Sequence, residues 1–233
     1  MVNLAAALVK QGEKVICIDL GPQANITMSI GCHNPNELQH TIADGIDLML
    51  SSIQLSGYET LLINEYDREN MLCQHVDAAR PCYDHILIDC QLSLNILTIN
   101  AMVAADNMLI PAQPQFLSAK DLELLFQTYS KVSRKKNPNL KIEGVLATMM
   151  DKRPNFTKDV VDLIRSTYGG NVKVFYSEIP MSVRAIECGA EGKSIFAHDP
   201  KGKVAEAYAN LAQEVIENAK REQRRAHKHQ AVR

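Results

Sequence analysis

Short apolar runs of strand length, each followed by a helix-length stretch, recur along nearly the whole of this 233-residue chain. That alternation constrains the fold more than any other feature. The clearest runs are Val15-Ile16-Cys17-Ile18 and Ile86-Leu87-Ile88, with others at residues 107–111, 141–149 and 172–176. Continuous apolar runs, rather than apolar–polar alternation, mark strands covered on both faces. Strands that alternate with helices are joined by crossovers and so run parallel. Helices are expected at residues 2–10, 93–104, 118–136 and 157–167, and from 203 onward. The third is supported by Leu122, Leu125, Phe126 and Tyr129 at helical spacing. Residues 37–80 are expected to be helical around a short 45–50 segment. The expected fold is α/β: a doubly wound, mostly parallel sheet with helices on both faces.

Bulk properties narrow the functional classes. The chain is 46% hydrophobic and 22% charged with a net charge of −2, so no global field draws it to nucleic acid. No apolar run approaches the roughly 18–20 residues of a membrane span. The six cysteines form no C-x-x-C pair and the histidines no metal-binding pair, which points to a reducing compartment and away from zinc. Cys17 and Cys90, in or beside strand runs, suit small buried thiols. No Ser/Gly-rich linker interrupts the chain, so one domain is expected over residues 1–218. A basic, polar C-terminal tail follows at 219–233.

In doubly wound sheets, ligands bind at the carboxyl ends of the strands. The residues leaving the strands are therefore the candidate site. Asp19 leaves the first run toward Gly21, Gln23 and Asn25; Asp89 ends the second in the pattern hhhD; Thr148 and Met149 end a later one. A carboxylate in the position of Asp89 holds Mg²⁺ through water in nucleotide-hydrolysing proteins. An aspartate there also caps a following helix, and the residue alone does not decide between these.

The strand ends taken in order are more specific. Ile18-Asp19-Leu20-Gly21-Pro22-Gln23-Ala24-Asn25 resembles the I-D-L-D-P-Q-x-N segment of the ParA-type partition ATPases, which are related to MinD-type proteins. Tyr83-Asp84-His85-Ile86-Leu87-Ile88-Asp89-Cys90 resembles the family's Y-D-Y-I-L-I-D-C. Leu97-Thr98-Ile99-Asn100-Ala101, Ile110-Pro111-Ala112-Gln113-Pro114, Ile179-Pro180 with Val183-Arg184, and Gly192-Lys193-Ser194-Ile195 follow in family order. The resemblance implies ATP and Mg²⁺ as cofactors, with Asp19 and Asp89 as the catalytic carboxylates and Asp89 supporting the metal through water. It further implies that Gln23 and Asn25 shape the loop facing the γ-phosphate; from their position at strand ends, Thr148, Met149 and Pro180 are expected near the base.

Two departures bear on activity. The family's first strand and its phosphate-binding loop, K-G-G-x-G-K-T-T, belong immediately before Val2, and the 233 residues contain no such segment. That loop cradles phosphates with successive backbone N–H groups. Its lack is expected to impair ATP binding and to leave two neighbouring central strands with an unpaired edge. Marginal stability or aggregation would follow. Gly21, in turn, occupies the position of an aspartate that positions the attacking water, and glycine has no group for that task. Two readings follow: a partition ATPase whose sequence starts upstream of Met1, or a non-catalytic paralogue that acts as a DNA- or protein-binding module.

The C-terminal tail offers no apolar stripe for a membrane surface. Lys220, Arg221, Arg224 and Arg225, with Arg184 and Lys193, are candidates for sequence-blind phosphate contacts; a solvated helix end explains the tail cations equally well. From the resemblance, the expected partners are non-specific DNA, a ParB-like centromere-binding protein and a second copy in a nucleotide-bound homodimer. No membrane partner is expected, and the location is cytoplasmic, at the bacterial nucleoid.

Overall fold

The computed structural model describes residues 1–21, 45–49, 62, 65–91, 94–113, 119–150 and 172–230. Helix α1 (Val2–Lys10) opens the chain and buries Ala5, Ala6, Ala7 and Leu8. It ends because Gly12 adopts φ +90°, a left-handed conformation that suits glycine at a helix C-terminus. Strand β1 (Val15–Asp19) follows directly. The 45–50 segment expected between helices contains strand β2 (Ile46–Met49), which lies parallel to β1. Helix α2 (Met71–Ala79) leads to β3 (His85–Asp89), also parallel to β1, so that β1 is central in the order β2-β1-β3.

Helix α3 (Ile96–Ala104) is capped by Asn95, whose side chain accepts from the Thr98 N–H at 3.0 Å. At its other end Asn137 donates to the carbonyls of Met102, Val103 and Ala105 at 2.7–3.1 Å, answering acceptors that the helix leaves open. Asn100, in the middle of α3, is only 3% exposed. Its Oδ1 accepts from Leu72 N–H at 3.1 Å, while its Nδ2 donates to the carbonyls of Arg68 (2.8 Å) and Ile96 (2.9 Å). The side chain thereby fastens the start of α2 to α3.

The second half of the chain builds a second three-stranded parallel sheet, β4-β5-β6, from β4 (Asn107–Ala112), β5 (Lys141–Met150) and β6 (Ile179–Pro180). Strand β4 includes Pro111 and runs one residue beyond the expected 107–111. A proline lacks the ladder donor and is tolerated because β4 has a partner on one side only among the described residues. Helix α4 (Ala119–Lys135) connects β4 to β5. The strand expected at residues 172–176 is reduced to a single bridge, Val145 to Val174, held by backbone bonds of 2.8 and 2.9 Å. Gly144 permits that approach: a β-carbon there would stand 3.0 Å from the Lys173 carbonyl oxygen. The helix expected at 157–167 lies outside the described residues.

Short helices α5 (Val183–Ala190) and α6 (Ile195–His198) precede α7 (Lys203–Gln230). One apolar core joins the halves: Ala5–Leu8 of α1 and Leu211, Ala212, Val215 and Ile216 of α7 pack with Val15, Ile46, Leu146 and Ile179 from both sheets. On the opposite face, α3 covers β3 through Ala101 and Ala104, and Met102 and Val103 meet Met108 of β4. Helices on both faces of parallel strands make the doubly wound α/β arrangement. Cys17 is buried, whereas Cys90 is exposed: it stands just beyond the end of β3, a strand flanked on one side only among the described residues.

Beyond residue 218, α7 continues without a break to Gln230. Glu214, Asn218 and Glu222, four residues apart on one helix face, hold it to the second sheet. Glu214 accepts from the N–H groups of Tyr176 and Ser177 and pairs with Lys173 at 3.4 Å. Asn218 donates to Glu143 at 3.2 Å, and Glu222 pairs with Lys141 at 3.1 Å. Burial raises the Glu143 carboxyl above its ordinary range, against the lowering effect of Asn218. The folded state therefore binds this proton more tightly than the unfolded chain, and stability falls as pH rises through that window. Glu143→Gln keeps an acceptor for Asn218 and removes the buried charge. We expect it to raise the melting temperature at about pH 7.5, with the gain vanishing near pH 4, where Glu143 is itself neutral. Melting curves of the two proteins across that range check it; a gain independent of pH would assign the effect to packing.

Candidate nucleotide site at the strand ends

The carboxyl ends of β1 and β3 bring Asp19 and Asp89 side by side, because the parallel register pairs these two residues directly. The Leu20 N–H donates to the Asp89 carbonyl at 3.0 Å and prolongs the pairing past the strand end. Asp19 is 3% exposed, and its Oδ1 accepts from the Gly21 N–H at 2.9 Å. Burial raises the Asp89 carboxyl, and Asp19 raises it further, while the Met1 ammonium opposes them. Cys17, one turn of the pleat below Asp19, is pushed up to about 12 by burial and is no nucleophile.

Two neighbouring, largely desolvated carboxylates are suited to hold a hydrated divalent cation. Asp89 could hold such a cation, while Asp19 bonds the adjoining turn through the Gly21 N–H. Gly21 also has a steric meaning. A β-carbon there would stand 3.1 Å from Asp19 Oδ1, so any larger residue requires the Asp19 carboxylate to give way slightly. Gln23 and Asn25 lie outside the described residues.

Thr148, Met149 and Pro180 gather on the other sheet. Thr148 pairs with Ile179, and its hydroxyl donates to the Ala112 carbonyl at 3.3 Å. Met149 takes φ +53° and is 52% exposed, where the β5–β6 register shifts. Pro180 pairs with Met150, and both line an open cleft of about 470 Å³ with Tyr176, Lys203, Glu206 and Asn210.

The expected phosphate-contacting cations divide into two groups. Arg184 pairs with Asp199 at 2.9 Å and Lys193 with Glu191 at 3.0 Å. Around Arg184 the surface is apolar, with Met181, Val183 and Ile186 exposed. On α7, Arg221 pairs with Glu217 at 3.4 Å, and Lys220 and Arg224 are exposed; the side chain of Arg225 lies outside the described part of the structure. One positioning residue escapes sequence reasoning. Asn3, in the first turn of α1, accepts from the Ile195 N–H at 2.9 Å and so ties the helix at the strand ends to the Gly192–Ile195 turn. The two residues are 192 positions apart, and no local pattern signals the pair.

Parallel strands, helices on both faces and acidic residues at the strand ends define an α/β fold of the P-loop NTPase class. Comparison with known proteins agrees. The AAA domain family matches residues 1–142. The chain is 34% identical to the sporulation initiation inhibitor protein Soj of Bacillus subtilis, over 93% of this chain and 92% of that protein. It is also 34% identical to the chromosome partitioning protein ParA of Caulobacter vibrioides, over 97% and 91%. Among solved structures, cobyrinic acid a,c-diamide synthase from Mycobacterium smegmatis with bound ADP and magnesium superposes with a TM-score of 0.80 at 28% identity, covering 94% of this chain and 88% of that one. The chain belongs to the ParA-type partition ATPase family. Among the described residues, no helix is long and apolar enough to cross a membrane.

Proposed function

We propose that this protein serves DNA partition as a ParA-like, cytoplasmic, nucleoid-associated protein. Mg-ATP would drive a homodimer that binds DNA without sequence preference and answers to a ParB-like partner. The observation that carries this reading is the pairing of Asp19 with Asp89 at adjoining strand ends, in a chain 34% identical to Soj over 93% of its length. In this reading Asp89 supports Mg²⁺ through water, Asp19, Gln23 and Asn25 shape the γ-phosphate side, and Thr148, Met149 and Pro180 border the base. Arg184, Lys193, Lys220, Arg221, Arg224 and Arg225 contact DNA phosphates once the acid partners of Arg184, Lys193 and Arg221 release them.

Gly21 favours a second reading, a non-catalytic DNA- or protein-binding module, because it offers no side chain to position water. Titration with Mg-ATP separates the two: micromolar affinity supports the ATPase, and no saturation up to millimolar concentration supports the module. Gly21→Asp, in a form of the protein that binds Mg-ATP, should raise turnover, on the scale of about 10²-fold for a positioned base. Unchanged turnover would remove position 21 from the chemistry. DNA binding that weakens steeply with salt and equally for unrelated sequences would support the phosphate contacts.

A further inference from the structure

Two stretches of the chain carry cations and no acid. From Leu124 to Ile142 the charged residues are Lys131, Arg134, Lys135, Lys136 and Lys141, and after Glu222 no acidic residue follows. The fold brings both stretches to one rim, at the amino ends of β4 and β5. On one face, α4 packs Tyr129 and Val132 with Met102 and Val103 of α3 and ends at Lys135. A tight turn then enters β5 at Lys141, with the Leu140 N–H donating to the Asn137 carbonyl at 3.2 Å. From the other face α7 reaches the same rim, where Glu222 accepts from Lys141 at 3.1 Å and from Asn107, the first residue of β4, at 3.3 Å.

Some of these charges are already answered. Lys136 pairs with Glu69 at 3.2 Å, Lys141 with Glu222, and Arg221 with Glu217. Lys131, Arg134 and Lys135 of α4, with Lys220 and Arg224 of α7, are exposed and have no acidic partner among the described residues. The three on α4 are spaced i, i+3 and i+4 and so share one helix face. Cations in a last helical turn suit the helix dipole. That accounts for Arg134 and Lys135, but Lys131 stands a turn earlier and Lys220 lies ten residues before the end of α7.

The chemistry of the rim selects its partner. Between Lys131 and Lys141, and along α7, no large apolar side chain is exposed among the described residues. A protein partner needs an apolar core at its interface, and single-stranded nucleic acid needs aromatic platforms for its bases. Duplex phosphates need only cations. The rim is also remote from Arg184, which is held to Asp199 just before α7 begins; Lys220 lies 17 residues into that helix, about 25 Å along its axis. We infer that the amino-end rim of β4 and β5 is a separate contact surface for the backbone of duplex DNA. Lys131, Arg134 and Lys135 of α4 form it together with Lys220 and Arg224 of α7. The inference rests on the DNA reading proposed above and adds the α4 cations to it.

The test measures affinity of the full chain for two unrelated duplexes from about 50 to about 200 mM salt, with Mg-ATP present. In the triple variant Lys131→Gln, Arg134→Gln, Lys135→Gln, the slope of log affinity against log salt should shrink by about 2–3, equally on both duplexes, at roughly 0.9 for each phosphate contact. Lys131→Gln alone should shrink it by about 1 and serves if the triple variant folds poorly. Arg184→Gln with Lys193→Gln should lose less, since Asp199 and Glu191 already hold those cations. An unchanged slope in both rim variants, or a larger loss in the Arg184 and Lys193 pair, overturns the inference and leaves the DNA reading standing. Tighter binding of poly-glutamate than of DNA, weakened by the same triple variant, would assign the rim to an acidic protein and also overturn it. If the unmodified chain shows no salt-sensitive DNA binding, the DNA reading itself fails and the inference falls with it.

Discussion

Asn100→Asp is expected to cost the fold about 3–5 kcal/mol near neutral pH, although the two side chains have almost the same shape. The amide is used from both ends: its oxygen accepts from Leu72 N–H, and its nitrogen donates to the carbonyls of Arg68 and Ile96. A carboxylate keeps the first bond and turns lone pairs toward two carbonyl oxygens in place of N–H groups. It also buries a charge with no cation among these contacts. The variant's pKa is therefore raised in the folded state, so its stability should recover as pH falls through that raised value, where the acid O–H donates to one carbonyl. Asn100→Ala, by contrast, should lose about 2–3 kcal/mol at any pH, because it strands the Leu72 N–H without introducing a charge. Urea unfolding at about pH 7.5 and pH 4.5 checks both. A pH-independent loss for the aspartate variant would mean that water reaches the site.

Asp89→Asn should move stability and ligand binding in opposite directions. Burial, the largest influence on Asp89, raises its carboxyl, and Asp19 beside it adds to the effect. Ionised Asp89 thus costs the ligand-free fold stability at neutral pH, and the neutral amide relieves that cost. The sign follows from the raised pKa: the penalty is absent below the ordinary carboxylate range and complete above the raised value. A desolvated carboxylate beside a second one is a poor structural device and a good place for a divalent cation. Under the proposed function, Mg²⁺-dependent nucleotide affinity in Asp89→Asn should fall by about 10–100-fold, the usual cost of losing an outer-shell metal partner. Melting temperatures without ligand and Mg-ATP titrations make the comparison. A variant both less stable and unchanged in Mg²⁺ dependence would leave Asp89 with a role in the fold alone.

Much of this arrangement is legible along the chain. Val15-Ile16-Cys17-Ile18 and Ile86-Leu87-Ile88 announce strands buried on both faces, since nothing polar alternates with the apolar residues. Asp19 and Asp89 are legible as strand-end carboxylates for the same reason: each is the first charge after such a run. The Ile46–Met49 strand is not legible, because its Ile-Asp-Leu-Met pattern is short and half-polar and becomes a strand only beside β1. At residues 172–176 the error is the reverse: the local pattern reads as a strand, yet only Val174 finds a partner.

The sequence alone determined the alternation of strands and helices, the parallel sense of the sheet and the family, because these rest on local periodicity and on motifs a few residues long. Only the tertiary structure decided that Asp19 stands against Asp89, that Asn3 reaches Ile195, and that Glu222 seats the far end of α7 on Lys141. Register, edge and long-range hydrogen bonds depend on which elements become neighbours when the apolar faces are buried together, and no local stretch of chain carries that information.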